Sequence, residues 1–86
     1  NEIEIFKALA NETRLQILKW LKHPEQYFPP QGIHIPAGDT FEHSFHYLDM
    51  LQRAGLLESR RYGKWTYYRR NEEMLRRLAV YIREEL

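Results

Sequence analysis

A stretch of arginine, lysine and aromatic residues at positions 60–70, with the sequence RRYGKWTYYRR, has the chemistry to bind an anion. Its flanks alternate as strands do and glycine tolerates a tight bend, so we predict a β-hairpin with Tyr62-Gly63 as its two-residue loop. That loop would set Arg61 directly opposite Lys64, and two cations facing each other across a strand pair repel. Phosphate oxygens between them would relieve the repulsion. The stretch therefore predicts a contact with the phosphate backbone of a nucleic acid.

Two other interpretations of this hairpin remain open. A basic hairpin tip often does no more than keep an exposed edge strand soluble. The rings of Trp65, Tyr67 and Tyr68 offer surfaces on which bases could stack, but aromatic residues in strands more often pack against a neighbouring helix. We favour packing for these three side chains.

Two histidines, His43 and His46, lie three residues apart in a helical pattern and could share a metal ion, with Glu42 or Asp39 completing the ligand set. No His-x-x-x-His spacing supports such a site, and the chain has no cysteine. We therefore predict no metal site and no cofactor, and we expect these histidines to face solvent or DNA.

The sequence offers no catalytic constellation. It contains no Ser-His-Asp arrangement, no glycine-rich phosphate loop and no paired carboxylates in a context that forms a pocket. A small helical domain also provides little cleft for a substrate. We predict no catalytic residues and no enzymatic activity.

Length and charge limit what the chain can be. Its 86 residues make a single domain, residues 1–86, near the small end of what one core stabilises, so dimerisation would help. Thirteen Lys and Arg against twelve Asp and Glu leave a net charge of +1, so any basic surface must come from local segregation. No apolar run approaches membrane-spanning length and no signal peptide is visible, which predicts a soluble cytoplasmic protein.

The spacing of apolar residues predicts two short helices at the start of the chain. The first covers residues 1–10. The second follows Asn11 as its N-cap and ends at a His-Pro pair, with Arg14 and Lys19 on its polar side. Residues 26–39 contain several prolines and glycines, and we interpret them as an irregular connector with a brief strand or one helical turn.

A third helix is predicted from Thr40 to about Ala54, with Gly55 as the glycine that ends it. Its apolar side holds Phe41, Ser44, Phe45, Leu48 and Leu51. Its polar side holds Glu42, His46, Asp49 and Arg53. These two sides predict a helix that packs with one face and presents the other.

A fourth helix, capped by Asn71, is predicted to end the chain. Glu72–Arg76 and Glu73–Arg77 have the spacing of favourable ion pairs on its surface. Its apolar stripe consists of Leu75, Leu78, Ala79, Ile82 and Leu86. The stripe is either core or a dimer seam, and we favour the seam because the domain is small.

The order helix, helix, connector, helix, basic hairpin, helix is that of a winged helix-turn-helix. Four stretches are specific within this order: residues 6–18 (FKALANETRLQIL), residues 47–57 (YLDMLQRAGLL), residues 60–68 (RRYGKWTYY) and the terminal helix. In these stretches the chain resembles the ArsR-type winged-helix repressors. The resemblance implies a mainly α fold with a β-hairpin (α+β). It also implies a homodimer, built from the first and last helices, that binds double-stranded DNA through the third helix and the hairpin, or wing.

The chain departs from the family pattern in two places. Residues 32–38 replace the first helix of the helix-turn-helix, and Pro36 disfavours a helix interior. The third helix carries acidic and aromatic residues where the family usually has small hydroxyl residues and a basic one. Carboxylates repel phosphates, so we expect binding through the DNA backbone more than base-specific reading.

Our leading hypothesis is a transcriptional repressor that binds, as a homodimer, a pseudo-palindromic operator with half-sites about one helical turn apart. The predicted DNA contacts are Thr40, Glu42, His43, His46, Arg53, Arg60, Arg61, Tyr62 and Lys64. The predicted dimer contacts are Ile3, Phe6, Leu75, Leu78, Ala79 and Ile82. The alternative is a winged helix that no longer binds DNA and instead exposes Tyr27, Phe28 and Phe41 to a protein partner.

Overall fold

The computed structural model of the chain describes residues 1–22 and 41–86, with the backbone alone for residues 41–44 and Trp65. Its elements are α1 (Glu2–Leu9), α2 (Glu12–Trp20), α3 (Phe41–Arg53), β1 (Leu57–Tyr62), β2 (Trp65–Arg70) and α4 (Glu72–Glu85). The predicted order and the α+β fold class are confirmed. The connector at 26–39, with Tyr27 and Phe28, lies outside the described residues.

Three asparagines begin three of the helices. Asn1, Asn11 and Asn71 each accept a hydrogen bond on Oδ1 from the backbone N–H three residues later, at 3.1, 2.9 and 3.1 Å. Each bond satisfies one of the amide groups that a helix start leaves without a partner. The predicted caps at Asn11 and Asn71 are confirmed, because a cap needs only a local signal.

The end of α3 is set by Gly55, whose φ is +83°. The Gly55 N–H donates to the carbonyl of Gln52 and the Leu56 N–H to that of Leu51, both at 2.9 Å. This pair of bonds is a Schellman motif, which requires a left-handed residue where glycine is favoured. The motif turns the chain directly from α3 into β1.

The core contains apolar residues from all four described helices and from the start of the hairpin. It consists of Ile5, Ala8, Ile17, Leu18, Leu21, Leu48, Leu51, Leu56, Leu57 and Leu78. Burying one leucine or isoleucine side chain contributes about 1.5–3 kcal/mol to the stability of the fold. Phe45, expected on the apolar side of α3, is exposed instead. None of the helices in the described ranges is long and apolar enough to span a bilayer.

The prediction that Arg14 lies on the polar, solvent-facing side of α2 is wrong, because Arg14 is only 8% exposed. Its guanidinium donates to the carbonyls of Lys7 and Ala8 in the last turn of α1. Carbonyls at a helix end lack partners within the helix. A packing partner outside α2 therefore decided the position of Arg14, and periodicity within α2 did not show it.

The hairpin register also differs from the prediction. Tyr62 pairs with Trp65, so the loop is Gly63-Lys64, and Arg61 faces Thr66 rather than Lys64. Gly63, at the first loop position, has a φ of +61°, whereas the φ of Lys64 is not positive. This is the pattern of a type II′ turn. The predicted repulsion between Arg61 and Lys64 across the strands therefore does not occur.

The ion pairs of α4 follow the prediction in part. Glu73–Arg77 is present at 3.4 Å, and Glu73 also contacts Arg76 at 2.9 Å. The hydrogen bond and charge of Arg76 lower the pKa of Glu73, with Arg77 adding to the effect. The predicted Glu72–Arg76 pair is wrong, because Glu72 contacts Arg70 at the end of β2 instead.

Candidate nucleic-acid interface

The described surface of α3 presents polar side chains beside a buried apolar side. Leu48 and Leu51 are fully buried, whereas His46, Asp49 and Arg53 are exposed. Arg53 Nε lies 3.0 Å from Asp49 Oδ2, one helical turn away. The two charges of this pair offset each other, so it adds little net positive charge to the face.

Several predicted contacts lie where side chains are not described. Thr40 lies outside the described residues, and for Glu42 and His43 only the backbone of the first turn of α3 is described. The same holds for the metal hypothesis, which needs Asp39 or Glu42 beside His43. Among the side chains that are described, no group of three or more His, Asp or Glu is placed to hold a metal ion.

The position of Arg53 separates it from the other predicted contacts. It is the last residue of α3, and at 1.5 Å per residue it lies about 18 Å along the axis from Phe41. It lines a groove of about 340 Å³ between α1 and α3, together with Glu4, Lys7, Ala8, Met50 and Ala54. The structure thus places Arg53 near α1, away from the first turn of α3.

The strand register divides the hairpin into two faces, because residues paired across an antiparallel ladder share a face and successive residues alternate. The inner face consists of Leu57, Ser59, Arg61, Thr66, Tyr68 and Arg70. The outer face contains Glu58, Arg60, Tyr62, Tyr67 and Arg69. Leu57 is buried and Tyr68 packs on the core, which confirms packing for Tyr68.

The inner face adjoins the C-terminal half of α3. Gln52 Nε2 donates to Ser59 Oγ at 2.8 Å. Burial raises the pKa of Tyr68, and the nearby carboxylate of Asp49 raises it further. The Gln52–Ser59 bond places α3 beside the inner face, so Arg61 lies on the α3 side of the wing, closer to its tip.

The outer face is aromatic and cationic. The Tyr62 and Tyr67 rings are tilted by 43° with centroids 5.2 Å apart, and Arg60 Nη1 donates to Tyr62 Oη at 3.4 Å. Arg69 and Glu58 form a cross-strand ion pair at 2.9 Å. Arg60 and Arg61, predicted as one cluster, therefore point to opposite sides, and Lys64 lies in the loop between the strands.

The predicted dimer residues fall into two groups. Ile3 is 61% exposed, Ile82 is 45% exposed and Ala79 is exposed, so the described part of the chain leaves much of these apolar side chains uncovered. Leu78 is only 7% exposed and is therefore a residue of the chain's own core. Phe6 and Leu75 are partly buried against that core. Sequence analysis did not separate the two groups, because the apolar stripes of α1 and α4 each contain members of both.

Sequence analysis missed two residues that connect elements of the fold, Tyr81 and Gln52. Tyr81 of α4 packs its ring 6.3 Å from that of Phe6 in α1, and Gln52 links α3 to the hairpin. Tyr81 follows Leu78 by three residues, a spacing that indicated a shared face. The Gln52–Ser59 bond had no signal in the sequence, since it depends on the packing of a helix against a strand.

In the ranges that the structure describes, three helices, a hairpin that follows the third and a closing helix are the elements of a winged helix-turn-helix DNA-binding domain. No family model matches the chain. It is 42% identical, over 97 aligned positions that cover 98% of this chain and 97% of the relative, to YbzH from Bacillus subtilis (strain 168), an uncharacterized HTH-type transcriptional regulator.

Solved structures extend the comparison. An ArsR-like transcriptional regulator from Rhodococcus sp. RHA1 is 27% identical, with a TM-score of 0.75, over 91% of this chain and 72% of that chain. The homodimeric winged helix-turn-helix DNA-binding domain of a possible ArsR-family transcriptional regulator from Mycobacterium bovis is 34% identical. Its TM-score is 0.72, over 91% of this chain and 71% of that chain. The chain belongs to the ArsR-type winged helix-turn-helix transcriptional regulators.

Proposed function

We propose that the protein is a homodimeric repressor that binds a pseudo-palindromic operator in double-stranded DNA. The observation that carries this proposal is the exposed Arg61 and Lys64 at the wing tip, on a hairpin whose inner face adjoins α3. A helix and a basic ribbon side by side can contact a groove and the adjacent phosphates together. A regulator of this kind must share a compartment with the DNA that it binds, so we place the protein in the cytoplasm.

Within this proposal, α3 enters the major groove by its first turn. Thr40, Glu42, His43 and His46 would then approach base edges, and a carboxylate there can accept a hydrogen bond from cytosine. Arg61 and Lys64 would neutralise phosphates, with Arg60 and Tyr62 as secondary contacts on the outer face. Arg53 lies far from that turn and is paired with Asp49, so it would contribute least to DNA binding.

The homodimer would form through α1 and α4. Ile3, Ala79 and Ile82 leave an apolar surface uncovered, and contact between two copies would remove it from water. The Phe6–Tyr81 ring contact holds the two helices together as one surface. The Mycobacterium bovis domain, a homodimer with the same fold, supports dimerisation as such. No catalytic role or cofactor is part of the proposal, as the relatives compared above are transcriptional regulators.

DNA binding is tested by fluorescence anisotropy with a random-sequence duplex over a salt series. The wild type should bind at low salt and lose affinity steeply between about 50 and 200 mM salt, because binding releases counterions. Arg61→Ala with Lys64→Ala should flatten that slope. Lys19→Ala with Lys22→Ala removes two exposed cations from the end of α2 and serves as the matched control. No binding even at low salt would overturn the proposal in favour of a protein-interaction module.

Dimerisation is tested by sedimentation equilibrium at micromolar concentration. Ile82→Glu should shift the mass towards that of one chain, because a carboxylate would be buried in the seam. Val80→Glu is the control, since at about 100° per residue Val80 points roughly 160° away from Ile82 around α4. Equal behaviour of the two variants would argue against a seam on the predicted stripe.

A further inference from the structure

Arg14 is the one charged residue among the buried residues of the described ranges. It lies in the first half of α2, a helix that carries none of the predicted DNA or dimer contacts. Burying a guanidinium is unfavourable because it loses its hydration, unless its donors are satisfied, and an apolar residue of similar size would avoid that cost. The contacts of Arg14 therefore indicate what the buried charge provides.

One set of contacts joins Arg14 to α1. Its Nε donates to the carbonyl of Ala8, and its Nη2 donates to that of Lys7 at 3.2 Å. Both carbonyls belong to the last turn of α1, where the helix dipole favours a positive charge. Arg14 thus holds the C-terminal end of the helix that carries Ile3 and Phe6.

The other set joins Arg14 to α3. Its Nη1 contacts Met50 Sδ at 3.4 Å, and the guanidinium carbon lies 5.9 Å from the centre of the Tyr47 ring. Tyr47 and Met50 lie three residues apart and so share one side of α3. Their sequence neighbours His46 and Asp49 are exposed on the surface of the same helix.

Only a planar group with several donors makes these contacts at once. A guanidinium presents five N–H donors in a fixed fork and can also lie against an aromatic ring, whereas the ammonium of lysine is a single point charge on a flexible stem. Arg14 is therefore suited to fixing one helix relative to another, and not merely to filling space between them.

We propose that Arg14 is a positioning residue that fixes the angle between α1 and α3, and thereby sets which half-site spacing the dimer accepts. This inference rests on the proposed function, since α1 would lie at the dimer axis and α3 in the groove. The chain of contacts runs from the Phe6–Tyr81 pair through the end of α1 to Arg14 and then to Tyr47 and Met50.

The first test measures the angle without DNA. The chain has no cysteine, so Glu4→Cys and His46→Cys, both at exposed positions, accept spin labels on α1 and α3 alone. Doubly labelled protein is mixed with an excess of unlabelled protein, and the distance distribution within one chain is measured by pulsed electron paramagnetic resonance. A supported site is held within about 0.5 Å and 10–20°. Because Arg14→Met removes the support of α1 against α3, it should broaden the distance distribution at least about twofold. Lys19→Met, an exposed lysine on the same helix, should leave the width unchanged.

The second test measures spacing selectivity. A duplex is selected from a random library with the wild-type protein, and one base pair is inserted between its half-sites, which rotates one half-site by about 34° relative to the other. The wild type should lose at least about tenfold in affinity on insertion and Arg14→Met less than about threefold. A merely structural role would weaken both duplexes equally and leave their ratio at the wild-type value.

The outcomes separate this inference from the proposed function. An unchanged distance distribution, or an unchanged affinity ratio in a protein that binds DNA, overturns the assignment of Arg14. Absence of DNA binding by the wild type, or binding that selects no duplex with two half-sites, overturns the proposed function and with it the claim about spacing, while the labels still decide whether Arg14 fixes the angle. If Arg14→Met does not fold, Arg14→Lys, which keeps the charge but not the fork, is measured in both tests with the same expected direction.

Discussion

Arg60 and Arg61 are adjacent in the chain but face opposite sides of the wing, because Arg60 is paired with Tyr67 and Arg61 with Thr66. Arg61 shares its face with Ser59, which accepts a hydrogen bond from α3. Arg60 shares its face with Tyr62, to which it donates. A duplex in contact with α3 therefore meets these two side chains differently.

The two arginines make a matched pair for measuring how the wing meets DNA. We expect Arg61→Ala to reduce the slope of log affinity against log salt by about 1, the effect of one lost phosphate contact. Arg60→Ala should reduce it by less than about half as much on the same random-sequence duplex. Anisotropy titrations over a salt series give both slopes, and equal reductions would show that the wing contacts DNA with both faces.

The ion pair of Arg70 with Glu72 should contribute more to stability than that of Arg69 with Glu58. The Arg70 side chain is 14% exposed and also donates to the carbonyl of Leu18 at 3.2 Å, whereas the Arg69 side chain is 32% exposed. Arg70 Nη2 donates to Glu72 Oε1 at 3.0 Å. Arg70 Nε lies 2.9 Å from Glu72 Oε2, but this contact is ionic and lacks the alignment of a hydrogen bond.

Removal of these two arginines is the test. Arg70→Ala should lower the free energy of unfolding by about 2–4 kcal/mol, because it removes the guanidinium that donates to a partly buried carboxylate and to a backbone carbonyl. Arg69→Ala should lower it by less than about 1 kcal/mol, since its pair is more exposed to solvent. Urea unfolding followed by circular dichroism measures both, and similar losses would contradict the difference in burial.

Gly55 should be sensitive to substitution because of its backbone conformation. Gly55→Ala should cost about 1–2 kcal/mol in the free energy of unfolding, since a side chain disfavours a φ of +83°. The added Cβ would also lie 3.0 Å from Met74 Cε, but that atom is the far end of a flexible side chain and can move. Gly55→Asn is the control and should cost less, because asparagine tolerates the left-handed region. A larger loss for Asn than for Ala would show that space at Met74 decides.

Tyr68 should make stability fall at high pH. Its pKa is raised, first by burial and then by Asp49, so the folded protein keeps this proton where the unfolded chain has lost it. The contribution is fully present below the unfolded value of about 10 and is lost as pH rises from there through the folded pKa. Unfolding measured between about pH 9 and 11 should show a steeper loss for the wild type than for Tyr68→Phe. Asp49→Asn should reduce this difference without removing it, and a steeper loss in Tyr68→Phe would reverse the expected sign.

Local signals along the chain were enough to predict the elements and the family. Asn11, Asn71 and Gly55 set helix ends through contacts within a few residues, so local signals were sufficient to predict α2, α3 and α4. The stretches around the second helix, the third helix and the wing carried the resemblance that the relatives then confirmed.

The direction in which the functional side chains face could not be predicted in this way. A slip of one residue in strand register moves every side chain to the other face, and the position of Gly63 in the turn fixed that register. Packing between helices buried Arg14, a charge that periodicity had placed in solvent, and separated Leu78 in the core from Ile82 at the surface. These outcomes depend on contacts between residues far apart in the chain, and such contacts leave no regular spacing in the sequence.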